Sequence, residues 1–358
     1  MMGLVDTPWT AANTLDQIAP SFPSALVTRE AHTALLALAR RFPASYTNWM
    51  YLECRLAWAR TERADFILRL TRLPSSVPRE LIEEMWLEFD VATNADLATT
   101  AATPGFFLHL AHGARAAGSP FERVENAQRA LRVLHDVSGV DFSSAAALAL
   151  ARCVRALRAG ASLLYLGCFP HRSNLVRLCV LGLADAAIAE YLERVDWPGD
   201  VTEVNALITP FSRASTRPGR AVAIVHLDIG ESGESIAPTV GFELGFARAS
   251  QSAGRIEEQA VLDTLVRESL CTSAEREALA TWPMSRISTM RHELWPSVVT
   301  RRLNHVKLTH APGRPTFAKA YLALSHRQHV PRSPDRLNVR AFTGVPPCTA
   351  NRTLLSVK

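Results

Sequence analysis

Six cysteines are scattered through 358 residues with no Cys-x-x-Cys spacing among them, so neither a zinc ribbon nor a disulfide framework is expected. No apolar run reaches the roughly 20 residues that a membrane-spanning helix needs. The opening MMGLVDTPWTAANTLD has no basic segment leading into an apolar one. No signal peptide is expected, and a cytoplasmic location is. Gly-x-Ser-x-Gly elbows and Gly-rich phosphate loops are missing too, which argues against a serine hydrolase or a P-loop enzyme. The net charge is only +5, and much of the excess lies after Ser325 in a stretch of Arg, His and Pro. With no basic stripe interleaved with aromatics, nucleic-acid binding is not expected.

What is present is a repeat. Hydrophobic residues make up 48% and charged residues 20%, which suits a protein with a substantial core. Five times, two stretches of alternating polar and apolar residues flank a short connector. The pairs are 51–57 with 65–71, 86–91 with 105–110, 163–167 with 175–181, 223–229 with 241–246, and 304–309 with 317–324. Residues two apart share one face of a strand, so each pair reads as a β-hairpin. Helical periodicity separates the pairs, at 27–41, 79–85, 120–137, 143–159, 184–193, 201–212, 256–270, 273–282 and 285–302. Hairpins alternating with helices predict an α+β fold, a ten-stranded antiparallel barrel ringed by helices. An open antiparallel sheet packed on helices is the alternative. One domain is expected over residues 1–325, followed by a basic, Pro-containing, partly disordered tail over 326–358.

Sorting alternate residues separates two chemical faces. Leu87, Phe89 and Val91 oppose Trp86, Glu88 and Asp90; Phe242, Leu244 and Phe246 oppose Gly241, Glu243 and Gly245. Val306 and Leu308 oppose His305, Lys307 and Thr309, and the apolar side of 318–324 opposes Lys319 and Tyr321. Glu53, Arg55 and Arg69 fall on the polar face of the first hairpin, Arg177 and Cys179 on that of the third, and His226 and Asp228 on that of the fourth. If the apolar face packs on helices, the polar face lines a lumen. Unpaired buried charge is costly, so such a lumen is expected to be hydrated or filled by a ligand.

Repeat number, chain length, polar lumen and the strand motif Lys319-Ala-Tyr321 resemble the ABBA-type, or PT-barrel, aromatic and peptide prenyltransferases, over roughly residues 27–325. The resemblance implies transfer of a prenyl group from an allylic diphosphate to an aromatic small molecule or a peptide side chain. It implies that Lys319 and Tyr321 hold diphosphate, with Lys307, Arg69 and Arg177 as further ligands. Glu88 or Glu243 would serve the acceptor as base or cation stabiliser. Trp86, Phe107 and Tyr165 would line the substrate space. Magnesium accompanying the donor is compatible with this reading, which requires no resident cofactor. The chain departs from the family pattern in carrying Lys-x-Tyr once, with Arg177-Leu-Cys179 in the third hairpin, and there is no Asp-Asp-x-x-Asp of the helical prenyl synthases. Two other readings stay open. Glu88, Asp90, His109, His226, Asp228 and Glu243 are a candidate divalent-metal set for a hydrolase or oxidative enzyme. A non-enzymatic protein binding a peptide or small ligand would need none of this chemistry.

Overall fold

A computed structural model describes residues 9–57, 64–91, 103–116, 118–217, 219–230, 235–246, 252–290 and 295–328. The strands are β1 (Trp49–Arg55), β2 (Ala64–Arg69), β3 (Ile82–Phe89), β4 (Gly105–Leu110), β5 (Ser162–Phe169), β6 (Ser173–Leu181), β7 (Val222–Ile229), β8 (Ile236–Gly245), β9 (Met284–Ser288), β10 (Ser297–Ala311) and β11 (Arg314–Gln328). Each neighbours the next up to β8, β8 pairs with β10, β10 with β11, and β11 returns to β1. The closing register sets Leu52 opposite Leu322, Glu53 opposite Tyr321 and Arg55 opposite Lys319. Ten strands therefore close a barrel, all antiparallel, and the open-sheet alternative is excluded. Strand β9 lies outside this ring and pairs only with the first residues of β10, Ser297–Arg301.

Helices cover the apolar faces. They are α1 (Ala11–Ile18), α2 (Arg29–Ala39), α3 (His112–Arg115), α4 (Pro120–Ser138), α5 (Ser144–Arg155), α6 (Asp185–Arg194), α7 (Val201–Ala214), α8 (Ser252–Arg267) and α9 (Ser273–Thr281). Their boundaries follow local chemistry. Ser119 and Glu122 form a reciprocal capping box at the start of α4, and Gly139 ends it with φ +69°. Ser143 accepts from the Ala146 amide to start α5. One face of α5, including Ala146, Leu150 and Val154, joins the same buried cluster as the outward Leu52, Leu108, Leu166, Leu178, Leu227, Phe242 and Leu308 of the strands. The main core is thus the annulus between barrel and helices, and the lumen is left to charged residues and a smaller aromatic cluster. No helix among the described residues is long and apolar enough to cross a membrane.

Two expected helices are corrected. In place of a helix over 285–302, the described residues there include β9, which ends at Ser288, and the start of β10 at Ser297, because Pro296 cannot continue a helix and Val298, Val299 and Thr300 are β-branched. Residues 79–85 make a turn after Pro78 and then enter β3 at Ile82. Helix α1 is not among the expected helices, although Ala11, Leu15 and Ile18 recur at helical spacing and are buried. Residues 329–358 of the expected tail lie outside the described residues, whereas residues 326–328 belong to β11.

Candidate active site

Strand alternation brings the polar residues of all five hairpins into one lumen, divided into a charged part and an aromatic part. A cavity of about 200 Å³ opens in the charged part, lined by Arg172, Arg177, Lys307 and Lys319 with His226, Asp228 and Phe317 among its walls. Lys307 and Lys319 are direct cross-strand neighbours, an arrangement of like charges that destabilises an empty sheet and favours an anion between them. Each cation already has a partner. Arg177 grips Asp228 in a two-pronged pair at 2.7 and 2.8 Å. Lys319 and the Tyr321 hydroxyl both donate to the Glu53 carboxylate. Lys307 Nζ lies 3.1 Å from His226 Nδ1, and His226 Nε2 lies 2.6 Å from Glu243 Oε1.

Arg172 enters from the β5–β6 turn. Its guanidinium reaches Glu88 at 3.1 Å and Asp65 at 3.8 Å, pairs with Asp90, and stacks over the Phe169 ring. Nothing in strand alternation points to this residue, because it lies in a turn rather than on a strand face. Glu53 is the other functional residue missing from the expected site. Sequence had placed it on the lumen face, and only the barrel-closing register sets it against Tyr321.

The aromatic part holds Trp86, Tyr321 and Ile67 packed with Trp49, Tyr51, Phe107 and Tyr165. Tyr51 and Trp86 stack with centroids 5.1 Å apart, and His305 stacks on Tyr321 at 4.0 Å. The expected lining residues Trp86, Phe107 and Tyr165 are therefore together, joined by Trp49 and Tyr51. Gly167 makes room for Phe107, whose ring carbon would come within 2.6 Å of an added Cβ.

Burial sets the electrostatics. Burial alone would raise the Glu53 carboxyl, but Lys319, with hydrogen bonds from Lys319 and Tyr321, holds it far below the usual carboxylate range. Glu88 moves the other way, pushed up by burial and then by Glu53. Burial lifts Glu243 to about 7 in spite of Lys307. Lys307 is lowered to about 8 by burial and by Arg177. His226 and His305 are both driven down by burial, then by Lys307. Glu243 is the cross-strand neighbour of Lys307 and lies 3.7 Å from His305 Nδ1, whose ring stacks on Tyr321.

Tyr321 and Arg69 do not line the cavity with the other expected diphosphate ligands; Tyr321 lies in the aromatic part with its hydroxyl on Glu53, and Arg69 sits apart. It bonds Glu84 at 2.7 Å and Asn48 at 3.0 Å and lies over Trp49, because its position pairs with Trp86 at the aromatic end. The six candidate metal ligands also do not converge. Glu88 and Asp90 share Arg172, Asp228 holds Arg177, His226 holds Glu243, and His109 packs on Tyr165 with Nδ1 3.6 Å from Glu84. Among the described residues, Glu53, Asp65 and Glu88 are the set whose ligand atoms lie within 4.8 Å of one another. The cationic heads of Lys319 and Arg172 already supply positive charge there, so the set does not fit a resident metal.

Gly241 leaves room for the Lys307 side chain at the cavity wall. A Cβ at this position would lie 2.5 Å from Lys307 Cε and 3.2 Å from His226 Cβ. Gly241→Ala is therefore expected to displace the Lys307 side chain and weaken pyrophosphate binding by about tenfold, the loss of part of one charge-assisted bond. Calorimetry beside an unchanged circular dichroism spectrum checks this.

A search for matching family models finds none, and no curated protein is similar to this chain. Solved structures are similar in fold. A 6-dimethylallyl tryptophan synthase superposes with a TM-score of 0.51 at 14% identity, covering 88% of this chain and 96% of its own. This likeness, with the closed ring of ten strands, establishes the fold as the PT barrel, and at that level the expected resemblance holds. A 6-dimethylallyltryptophan synthase from Micromonospora olivasterospora gives 0.48 at 12% identity over 88% and 95% of the two chains. AnaPT from Neosartorya fischeri gives 0.47 at 10% identity over 88% and 90%.

Proposed function

We propose that this protein transfers a prenyl group from an allylic diphosphate to an aromatic acceptor, free or carried as a peptide side chain. The observation that carries the reading is the lumen cavity with four converging cations, Arg172, Arg177, Lys307 and Lys319, beside a wall of aromatic rings. Cations at that density suit a polyanionic leaving group, since charge-assisted bonds to phosphate are strong and directional. The 6-dimethylallyl tryptophan synthase of the same fold is named for this chemistry.

In this reading the C–O bond of the donor breaks and the diphosphate departs with the bonding pair, held by the lysines and arginines. The aromatic faces of Trp86, Tyr51 and Tyr321 shelter the allylic cation from water and stabilise its charge. The acceptor ring attacks, and its displaced proton passes to a carboxylate. Glu243 fits this base better than Glu88, because it neighbours Lys307 and reaches the aromatic wall through His305, whereas Glu88 is held by the cationic Arg172. Magnesium accompanying the donor would add charge neutralisation at the diphosphate.

Incubation with dimethylallyl diphosphate and a panel of indoles, phenols and aromatic peptides tests the reading by mass spectrometry. A product heavier by one prenyl unit is expected, and donor consumption no faster than in buffer, with every acceptor, contradicts it. The rate should rise as pH passes about 7 and Glu243 ionises, and fall above about 8 as Lys307 loses its proton. Glu243→Gln should lower the rate by about 10²-fold and remove the lower limb of that profile.

A further inference from the structure

Two of the four cavity cations are shared with a cluster of buried carboxylates. Lys319 pairs with Glu53, and Arg172 bridges Glu88, Asp65 and Asp90, while both cations also line the cavity. The ligand oxygens of Glu53, Asp65 and Glu88 lie within 4.8 Å of one another, and all three residues are buried. A diphosphate in the cavity competes with these carboxylates for the same N–H donors. Whatever it takes is charge compensation withdrawn from carboxylates that are themselves buried.

We propose that donor binding and protonation of Glu88 are one coupled event: the diphosphate draws Arg172 and Lys319 toward itself, and Glu88 takes up a proton from solvent. This rests on the reading of the cavity as a diphosphate site. No other bond changes, since a carboxylate becomes a carboxylic acid and the solvent supplies the proton. The groups acting on Glu88 are Glu53 from β1, Asp65 from β2, Arg177 from β6, Lys319 from β11 and Arg172 from the β5–β6 turn. Burial and Glu53 already push its carboxyl above the ordinary range, with Arg172 the main force opposing them. Withdrawal of Arg172 removes that opposition. Glu88 is the member of the cluster to protonate because Glu53 retains a hydrogen bond from Tyr321.

The test is calorimetry of the full chain with inorganic pyrophosphate and a chelator, at matched pH near neutrality in buffers of different ionisation enthalpy. The wild-type protein is expected to take up about one proton per pyrophosphate, with affinity falling by up to about tenfold per pH unit above neutrality. Glu88→Gln should bind pyrophosphate more tightly at alkaline pH and lose the Glu88 share of that uptake; the ionisation of the ligand, Glu243 and Lys307 is common to both proteins and cancels in the comparison. Asp65→Asn, which leaves Glu88 in place, should bind more tightly and shift the uptake to lower pH. Binding with no buffer-dependent heat, or uptake unchanged in Glu88→Gln, overturns the coupling while leaving the diphosphate site intact. Binding that requires added magnesium assigns the compensating charge to the metal and overturns it too. A wild-type protein that binds no pyrophosphate at any pH, with or without magnesium, removes the donor reading itself.

Discussion

Lys319→Met is expected to bind dimethylallyl diphosphate on the order of 10²-fold more weakly than the wild-type protein, the loss of one half-buried charge-assisted interaction. Two effects act in the same direction. The substitution removes a cation from the cavity wall, and it leaves the Glu53 carboxylate facing the lumen with Tyr321 as its remaining named donor. A stranded carboxylate repels the incoming anion. The double variant Lys319→Met/Glu53→Gln separates these effects, because it removes the repulsion without restoring the cation. Affinity should recover in part, and calorimetric titration of the two variants side by side measures how much. Equal affinity of Lys319→Met and wild type would place the donor elsewhere.

The second large effect concerns stability. Arg177→Leu should destabilise the protein by about 3–5 kcal/mol, the range for breaking one side of a buried ion pair. Asp228 is buried, and its carboxyl is held below the usual range by Arg177, first through charge and then through hydrogen bonding, against the opposing effect of burial. Without the guanidinium, its charge remains in the barrel wall uncompensated. Arg177→Leu/Asp228→Leu should regain most of the loss, since an apolar pair of similar volume substitutes well for a buried ion pair. Denaturant unfolding of the single and double variants distinguishes this from a mere packing defect, which the second substitution would not repair. The sign with pH follows from the direction of the shift. A carboxyl held low in the fold contributes stability above its unfolded value, and that contribution is lost as pH falls through the folded one.

The barrel was legible because its strands alternate strictly. In GFELGF and HVKLT every second residue is apolar, so the face turned to the helices and the face turned to the lumen could be told apart before any contact was known. That same alternation placed Lys307, Lys319, Arg177 and Glu243 in one interior. Alternation says nothing of height along the barrel axis, which depends on register and shear. Arg69 was grouped with Arg177 for that reason, although its register partner Trp86 sets it at the aromatic end. Arg172 was invisible on different grounds: it reaches the acids from a turn, where no periodic rule applies. The misread stretch 285–302 had helix-compatible composition, and Pro296 with the β-branched residues beyond it carried the stronger signal.

The central claim, that the lumen cations form an allylic diphosphate site, is tested most directly by calorimetric titration of the wild-type chain with dimethylallyl diphosphate. A single saturable site, competed by pyrophosphate and lost in Lys319→Met, is the predicted result. Absence of binding heat with or without magnesium, in a protein whose circular dichroism and cooperative unfolding show it to be folded, would contradict it.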